Sequence, residues 1–259
     1  MSIDKTVGSA HEAVADIPSG ASVAVGGFGL CGIPMVLIQA LLEQGADELS
    51  VVSNNCGVDD WGLGVLLAAR RIRKMTSSYV GENKEFERQF LSGELEVELT
   101  PQGTLAEKLR AGGSGVAGFF TQTGVGTPVA EGGLPRRYAA DGSVAIASRR
   151  KEVRRMPYRG QERDFVLEEA ITTDFSLVHA AVADTHGNLV FERSARNFSP
   201  LAAMAGAICI AQVERLVAPG DLDPDAVHLP GVFVDRVVLV GELIEKRIER
   251  RTVRAPKGE

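Results

Sequence analysis

A chain of 259 residues, 44% hydrophobic and 24% charged, has room for one large α/β domain or two small ones and the make-up of an ordinary soluble globular protein. Its net charge of −6 and sequence pI near 5.4 argue against a nucleic-acid surface, and no apolar run reaches the ~18 residues of a membrane span. Cys31, Cys56 and Cys209 are too few and too scattered for a disulfide framework or a zinc site, so no metal is expected. The polar start, residues 1–10, lacks the basic segment and apolar core of a secretory signal, and a reducing cytoplasm is the expected compartment.

From the N-terminus the dominant rhythm is a short apolar strand, a turn, then an amphipathic helix. Residues 22–25 read as a strand ending in Gly26-Gly27. Residues 34–44 carry Leu37, Ile38, Leu41 and Leu42 on one helical face, with Pro34 suited to the first turn and Gly45 to the C-terminal cap. The pattern continues with strand 49–52, helix 62–71, strand 72–77, and helix 83–92 closed by Gly93. Strand 95–99 and helix 104–110, capped by Gly112, complete the run. Near-continuous apolar strands alternating with helices predict an α/β fold, a mainly parallel open sheet covered by helices on both faces.

Past Gly126 the character changes. Residues 138–153 and 164–167 read as short strands around a polar, basic insertion near 136–163, which includes Arg149, Arg150, Lys151, Arg154 and Arg155. A solvated face is the plainer reading of that cluster, a phosphate clamp the sharper one. Residues 178–183 and 189–192 flank Gly187-Asn188 as a β-hairpin. Helix 200–206, strand 208–217 and a final strand 233–240 precede a charged tail. No repeat or linker divides the chain, so 1–259 reads as one domain.

Four segments carry candidate chemistry. Gly26-Gly27-Phe28-Gly29-Leu30-Cys31-Gly32-Ile33-Pro34 contains a G-x-G-x-x-G string between a strand and a helix, where backbone N–H groups can approach a phosphate or an oxyanion. A dinucleotide site is one reading, although Pro34 and the absence of a ribose-binding acid at the end of the second strand count against it. A turn with purely structural duties is another. Ser53-Asn54-Asn55-Cys56-Gly57 offers neutral amides at a strand end, where open α/β sheets bind ligands, or else satisfies its own turn. Thr100-Pro101-Gln102-Gly103-Thr104 leaves Gln102 projecting from the next strand end, with Thr104 and Glu107 spaced as a capping box. In Tyr79-Val80-Gly81-Glu82-Asn83, Asn83 suits a helix N-cap better than Glu82 suits a nucleophile. The four histidines show no nucleophile–base spacing, and neither G-x-S-x-G nor H-E-x-x-H nor C-x-x-C occurs.

Taken together these blocks resemble the class I CoA-transferases, and within them the A subunits of succinyl-CoA:3-oxoacid CoA-transferases, from about Ala13 to Arg254. The carriers are Gly26-Gly27-Phe28 followed by Gly32-Ile33-Pro34, Ser53-Asn54-Asn55, the 100–107 block TPQGTLAE, and Ser194-Ala195-Arg196-Asn197-Phe198. YVGENKEFERQFLSG at 79–93 and the 245–250 ending separate the chain from 3-oxoadipate transferases, and 141–153 resembles an insertion of the single-chain mitochondrial enzymes.

The resemblance implies a CoA-transferase (NagB/RpiA-like) fold and a ping-pong reaction through a glutamyl-CoA thioester. It places the nucleophilic glutamate in a Ser-Glu-Asn-Gly-like motif on a separate B subunit, in an A2B2 heterotetramer. This chain has no such motif, so no catalytic residue is expected on it. Carried over by the resemblance are Gly26, Gly27, Phe28, Gly29, Leu30, Cys31 and Gly32 as the CoA-binding segment, and Asn54 and Gln102 as substrate-binding residues. Coenzyme A is then a substrate and no other cofactor is implied. One half of a 3-oxoadipate CoA-transferase, a CoA-thioester hydrolase and a nucleotide-binding module are the alternatives.

Overall fold

The structure, a computed structural model, describes residues 3–241 and 245–247. Its first half alternates as the sequence predicts: α1 (Ala10–Val14), β1 (Ser22–Val25), α2 (Met35–Gln44), β2 (Leu49–Val52), α3 (Gly64–Ala68), β3 (Ile72–Ser77), α4 (Lys84–Leu91), β4 (Glu96–Leu99) and α5 (Gln102–Gly113). An accessory segment follows, with β5 (Gly118–Thr121), α6 (Pro128–Glu131), β6 (Pro135–Tyr138), β7 (Val144–Ala147), β8 (Val153–Tyr158) and β9 (Gln161–Glu169). The chain then returns with β10 (Thr173–Asp184), β11 (Leu189–Val190), α7 (Ser199–Ala205), β12 (Gly206–Val217) and β13 (Arg236–Leu239).

The main sheet runs β13-β12-β10-β1-β2-β3-β4, every neighbour pair parallel, and β11 adds an antiparallel flap on β10. Strand alternation sends side chains to two faces. Val23, Val25, Leu49, Val51, Leu177 and Ile210 pack under α1 and α2, whereas Ala24, Val52, Val178, Cys209 and Ala211 pack under α5 and α7. Burial on both faces explains why these strands read as continuous apolar runs.

Local signals act where they stand in the sequence. Gly45 closes α2 in the left-handed conformation at φ 95°, and the Asn83 side chain caps α4 by accepting from the Phe86 N–H at 2.8 Å. The expected 178–192 hairpin forms, with Asp184 accepting from the backbone N–H groups of His186 and Asn188.

Several expectations are corrected. Pro34 is the N-cap of α2 rather than part of its first turn, and the 62–71 helix shrinks to Gly64–Ala68. The α5 helix begins at Gln102 with Pro101 as N-cap, so Thr104 lies inside the helix and no capping box forms. Glu107 instead pairs with Arg110, and the Thr104 hydroxyl is buried without a partner. The 138–153 stretch is not one strand: a turn at Asp141-Gly142 separates β6 from β7. The last strand is shorter than 233–240, and the 248–250 part of the family-like ending lies outside the described residues.

The basic insertion is anchored by buried charge. Glu168 on β9, 1% exposed, lies 3.4 Å from Lys108 Nζ on α5 and 2.5 Å from Lys151 Nζ. Glu98 on β4 meets Lys74 at 3.3 Å and Arg136 at 2.8 Å. Burial raises the Glu98 pKa, but Arg136, Lys74 and Lys108 outweigh it and hold the carboxyl below its ordinary range.

Candidate active site

The carboxyl ends of β1, β2, β3 and β4 lie side by side and present the segments singled out in the sequence on one rim. After β1 the chain makes a tight turn in which Phe28 and Cys31 exchange backbone hydrogen bonds at 3.0 and 2.9 Å. Gly27, Gly29 and Gly32 all have positive φ, which other residues adopt only at a cost. A Cβ on Gly32 would stand 2.9 Å from the Ala195 carbonyl oxygen, so close packing as well as φ requires glycine there. Ile33 and Pro34 separate this turn from α2. The glycine string is therefore a turn docked on neighbouring backbone, without the glycine-lined helix start of a dinucleotide fold.

What holds the turn comes from far along the chain. The 3-10 turn Arg193–Arg196 places Ser194 Oγ 3.2 Å from Cys31 Sγ, and Asn197 Nδ2 donates to the Cys31 carbonyl at 3.1 Å. Gly26 donates its N–H to Leu177 on β10. The N–H groups of Gly29, Leu30 and Gly32 have no hydrogen-bond partner among the described residues, and Phe28 is 46% exposed.

Asn54, Asn55 and Gln102 are linked into one run. Gln102 Nε2 donates to Asn54 Oδ1 at 2.9 Å, and Ser78 Oγ donates to the same oxygen at 2.8 Å. Asn54 Nδ2 donates to Asn55 Oδ1 at 3.3 Å, and Asn55 Nδ2 to the Gly29 carbonyl at 3.3 Å. Asn54 is 1% exposed, while Gln102 faces solvent from the first position of α5 instead of from the strand end. Gln102 is thus the group within reach of a ligand, and Asn54 sets its direction. The run contains no carboxylate.

Sequence reasoning missed Ser78, whose hydroxyl anchors Asn54, and gave no role to Asn197 within its quoted block. Glu82 is exposed and outside this run. Cys56 and Cys209 are buried, and burial pushes the Cys209 thiol up to about 12, which keeps it protonated. Among the described residues no helix is long and apolar enough to cross a membrane.

A parallel sheet that gathers a glycine turn and neutral amides at adjacent strand ends defines an α/β protein built to hold a polar ligand on its rim. The chain belongs to the coenzyme A transferase family, whose model matches residues 7–239. A Mycobacterium tuberculosis protein, named as the A subunit of a probable succinyl-CoA:3-ketoacid coenzyme A transferase, is 61% identical over 252 residues, covering 97% of this chain and all of that one. The A subunit of the Helicobacter pylori (strain J99) succinyl-CoA:3-ketoacid coenzyme A transferase is 49% identical over 98% of this chain and 100% of its own length. Among solved structures, the acyl-CoA transferase YdiF apoenzyme from Escherichia coli O157:H7 superposes with a TM-score of 0.76 at 25% identity, over 92% of this chain. This chain spans about half, 47%, of that one's length.

Proposed function

We propose that this chain is the half-site of a CoA-transferase that moves CoA between succinyl-CoA and a 3-oxoacid such as acetoacetate, the nucleophilic glutamate being supplied by a second polypeptide. The observation that carries this reading is the uncharged run Gln102–Asn54–Asn55 ending on a glycine turn with free N–H groups.

In the reaction, a partner glutamate attacks the succinyl thioester and expels CoA thiolate, giving a mixed anhydride. The thiolate attacks the glutamyl carbonyl and releases succinate, leaving a glutamyl-CoA thioester. The acceptor carboxylate attacks that carbonyl, the thiolate leaves again, and its return to the acceptor's acyl carbon gives the new thioester and the free glutamate. Each addition develops an oxyanion, and one well-aimed donor contributes about 100- to 1000-fold to such a step. Neutral amides supply donors without repelling the two carboxylates that must meet there. The relatives are named as A subunits, which supports a B subunit as partner, and an A2B2 assembly working in the cytoplasm belongs to the same reading.

The test is to purify the chain alone and with its partner and to follow acetoacetyl-CoA formation from succinyl-CoA and acetoacetate. Turnover only by the pair is expected, and full turnover by the isolated chain contradicts the division of labour. Release of free CoA without any acceptor acid would favour a hydrolase instead.

A further inference from the structure

A second polar cluster stands beside the glycine turn and takes no part in the amide run. His179 on β10 and Gln212 on β12 are in register. Both lie two residues beyond the level where β1 ends, because Val25 pairs with Leu177 and Leu177 with Ile210. Although polar, they are 5% and 1% exposed. Gln212 Oε1 accepts from the Leu37 N–H at 3.0 Å, and its Nε2 lies 2.9 Å from His179 Nδ1. His179 Nε2 lies 2.9 Å from Glu214 Oε1, which Lys246 Nζ meets at 2.6 Å.

Leu37 is the third residue of α2, where a helix has an unsatisfied N–H that an N-cap side chain normally accepts. The N-cap here is Pro34, whose side chain has no oxygen to offer, and Gln212 supplies the missing acceptor from across the sheet. That fixes the proton pattern. The Leu37 N–H can only donate, so the Gln212 oxygen must face it and the Gln212 NH2 must face His179 Nδ1. His179 then carries its proton on Nε2 and donates to Glu214. Both ring nitrogens are committed, so His179 is not a free base, although with Glu214 it lines a cavity of about 240 Å³ beside Leu30, Cys31 and Gly32.

We propose that His179 and Gln212 are positioning residues that pin the start of α2 and, through Gly32, Ile33 and Pro34, the downstream end of the glycine turn. The turn's soft joints at Gly27, Gly29 and Gly32 need such an anchor, because its upstream end is tied only by the Gly26 N–H to Leu177. This inference rests on the proposed reading of the turn as the donor to the thioester oxygen.

The test uses the assembled two-chain enzyme. Gln212→Leu and His179→Leu should each lower kcat about tenfold while leaving KM for succinyl-CoA within about twofold. The double variant should be no worse than either single one, since both cut the same relay. His179→Asn, whose Oδ1 stands where Nδ1 stood, should recover most of the loss. Should the leucine variants not assemble, His179→Gln, which keeps a donor toward Glu214 but no acceptor for Gln212, replaces them in the comparison with His179→Asn. Amide hydrogen exchange at residues 28–38 should quicken in the variants that lose the acceptor and stay slow in His179→Asn. Multiplicative losses, an equal defect in His179→Asn, an effect confined to KM, or unchanged exchange at Leu37 would each overturn the inference. A wild-type assembly that transfers no CoA defeats the functional reading instead, and exchange at Leu37 then decides the relay by itself.

Discussion

Gln102 Nε2 donates to Asn54 Oδ1 at 2.9 Å, joining the start of α5 to the end of β2 across the intervening strand β3. The bond divides the labour between two residues that look alike in the sequence. Asn54 is enclosed and Gln102 faces solvent, so their removal should have different consequences.

Asn54→Ala deprives the Ser78 hydroxyl and the Gln102 amide of their common acceptor and should cost about 1–3 kcal/mol of stability. Gln102→Ala should leave the melting temperature close to wild type and lower kcat about tenfold or more in the assembled enzyme. Thermal melts beside initial rates separate the two. Equal melting losses for both variants would show that the run is only structural.

The Gly26 position tests how tightly the turn is docked. A Cβ there would stand 2.6 Å from Ser199 Oγ, a buried hydroxyl without a partner. Gly26→Ala should destabilise by about 1–3 kcal/mol, and adding Ser199→Ala should recover part of that. Ser199→Ala alone should be neutral or stabilising, because it removes an unsatisfied buried polar atom. Denaturant midpoints of the three variants are the check.

Glu168 holds the accessory segment to the body through Lys108 and Lys151. Removing one partner of a buried ionic cluster strands the others, so Glu168→Ala should cost about 3–5 kcal/mol. Lys151 is more exposed than Lys108 and its replacement by Met should cost less. Limited proteolysis between residues 135 and 165 should accelerate in Glu168→Ala and not in Lys151→Met.

Burial lowers the pKa of His179 below its ordinary value, and the hydrogen bond and charge of Glu214 only partly oppose this, while the facing Lys246 adds to the lowering. A base whose pKa falls on folding binds fewer protons when folded. Its contribution is therefore fully present above the unfolded value, near 6.5, and is lost as pH falls through the folded value. Wild type should lose stability faster than His179→Asn as pH drops from about 6.5 toward 5. Parallel curves for the two would contradict a neutral, relay-bound His179.

Much of the fold was legible because its signals are local. Apolar runs bounded by glycine located β1, β2 and β3 to the residue, and Gly45 and Asn83 marked helix ends by conformations and hydrogen bonds they make within a few residues. The accessory strands were not legible. Residues Val144–Ala147 are apolar yet exposed throughout, so no alternation signals their pairing, and β5, α6 and β8 passed unseen. In the site, strand-end position alone brought the glycine turn, Asn54 and Gln102 to notice. The support was hidden because it is non-local: Asn197 reaches Cys31 across 166 residues, and His179 meets Gln212 only through strand register. One trace was present, two polar residues, Gln212 and Glu214, recurring on the same face of an otherwise apolar strand.

The direct test of the whole account is where the enzyme becomes acylated. The assembled enzyme is incubated with succinyl-CoA alone, reduced with borohydride to convert any glutamyl thioester to an alcohol, and mapped by peptide mass. The reduced glutamate should fall on the partner polypeptide, with every peptide of this chain unaltered; a reduced side chain on this chain, at Glu82 or elsewhere, would contradict the assignment.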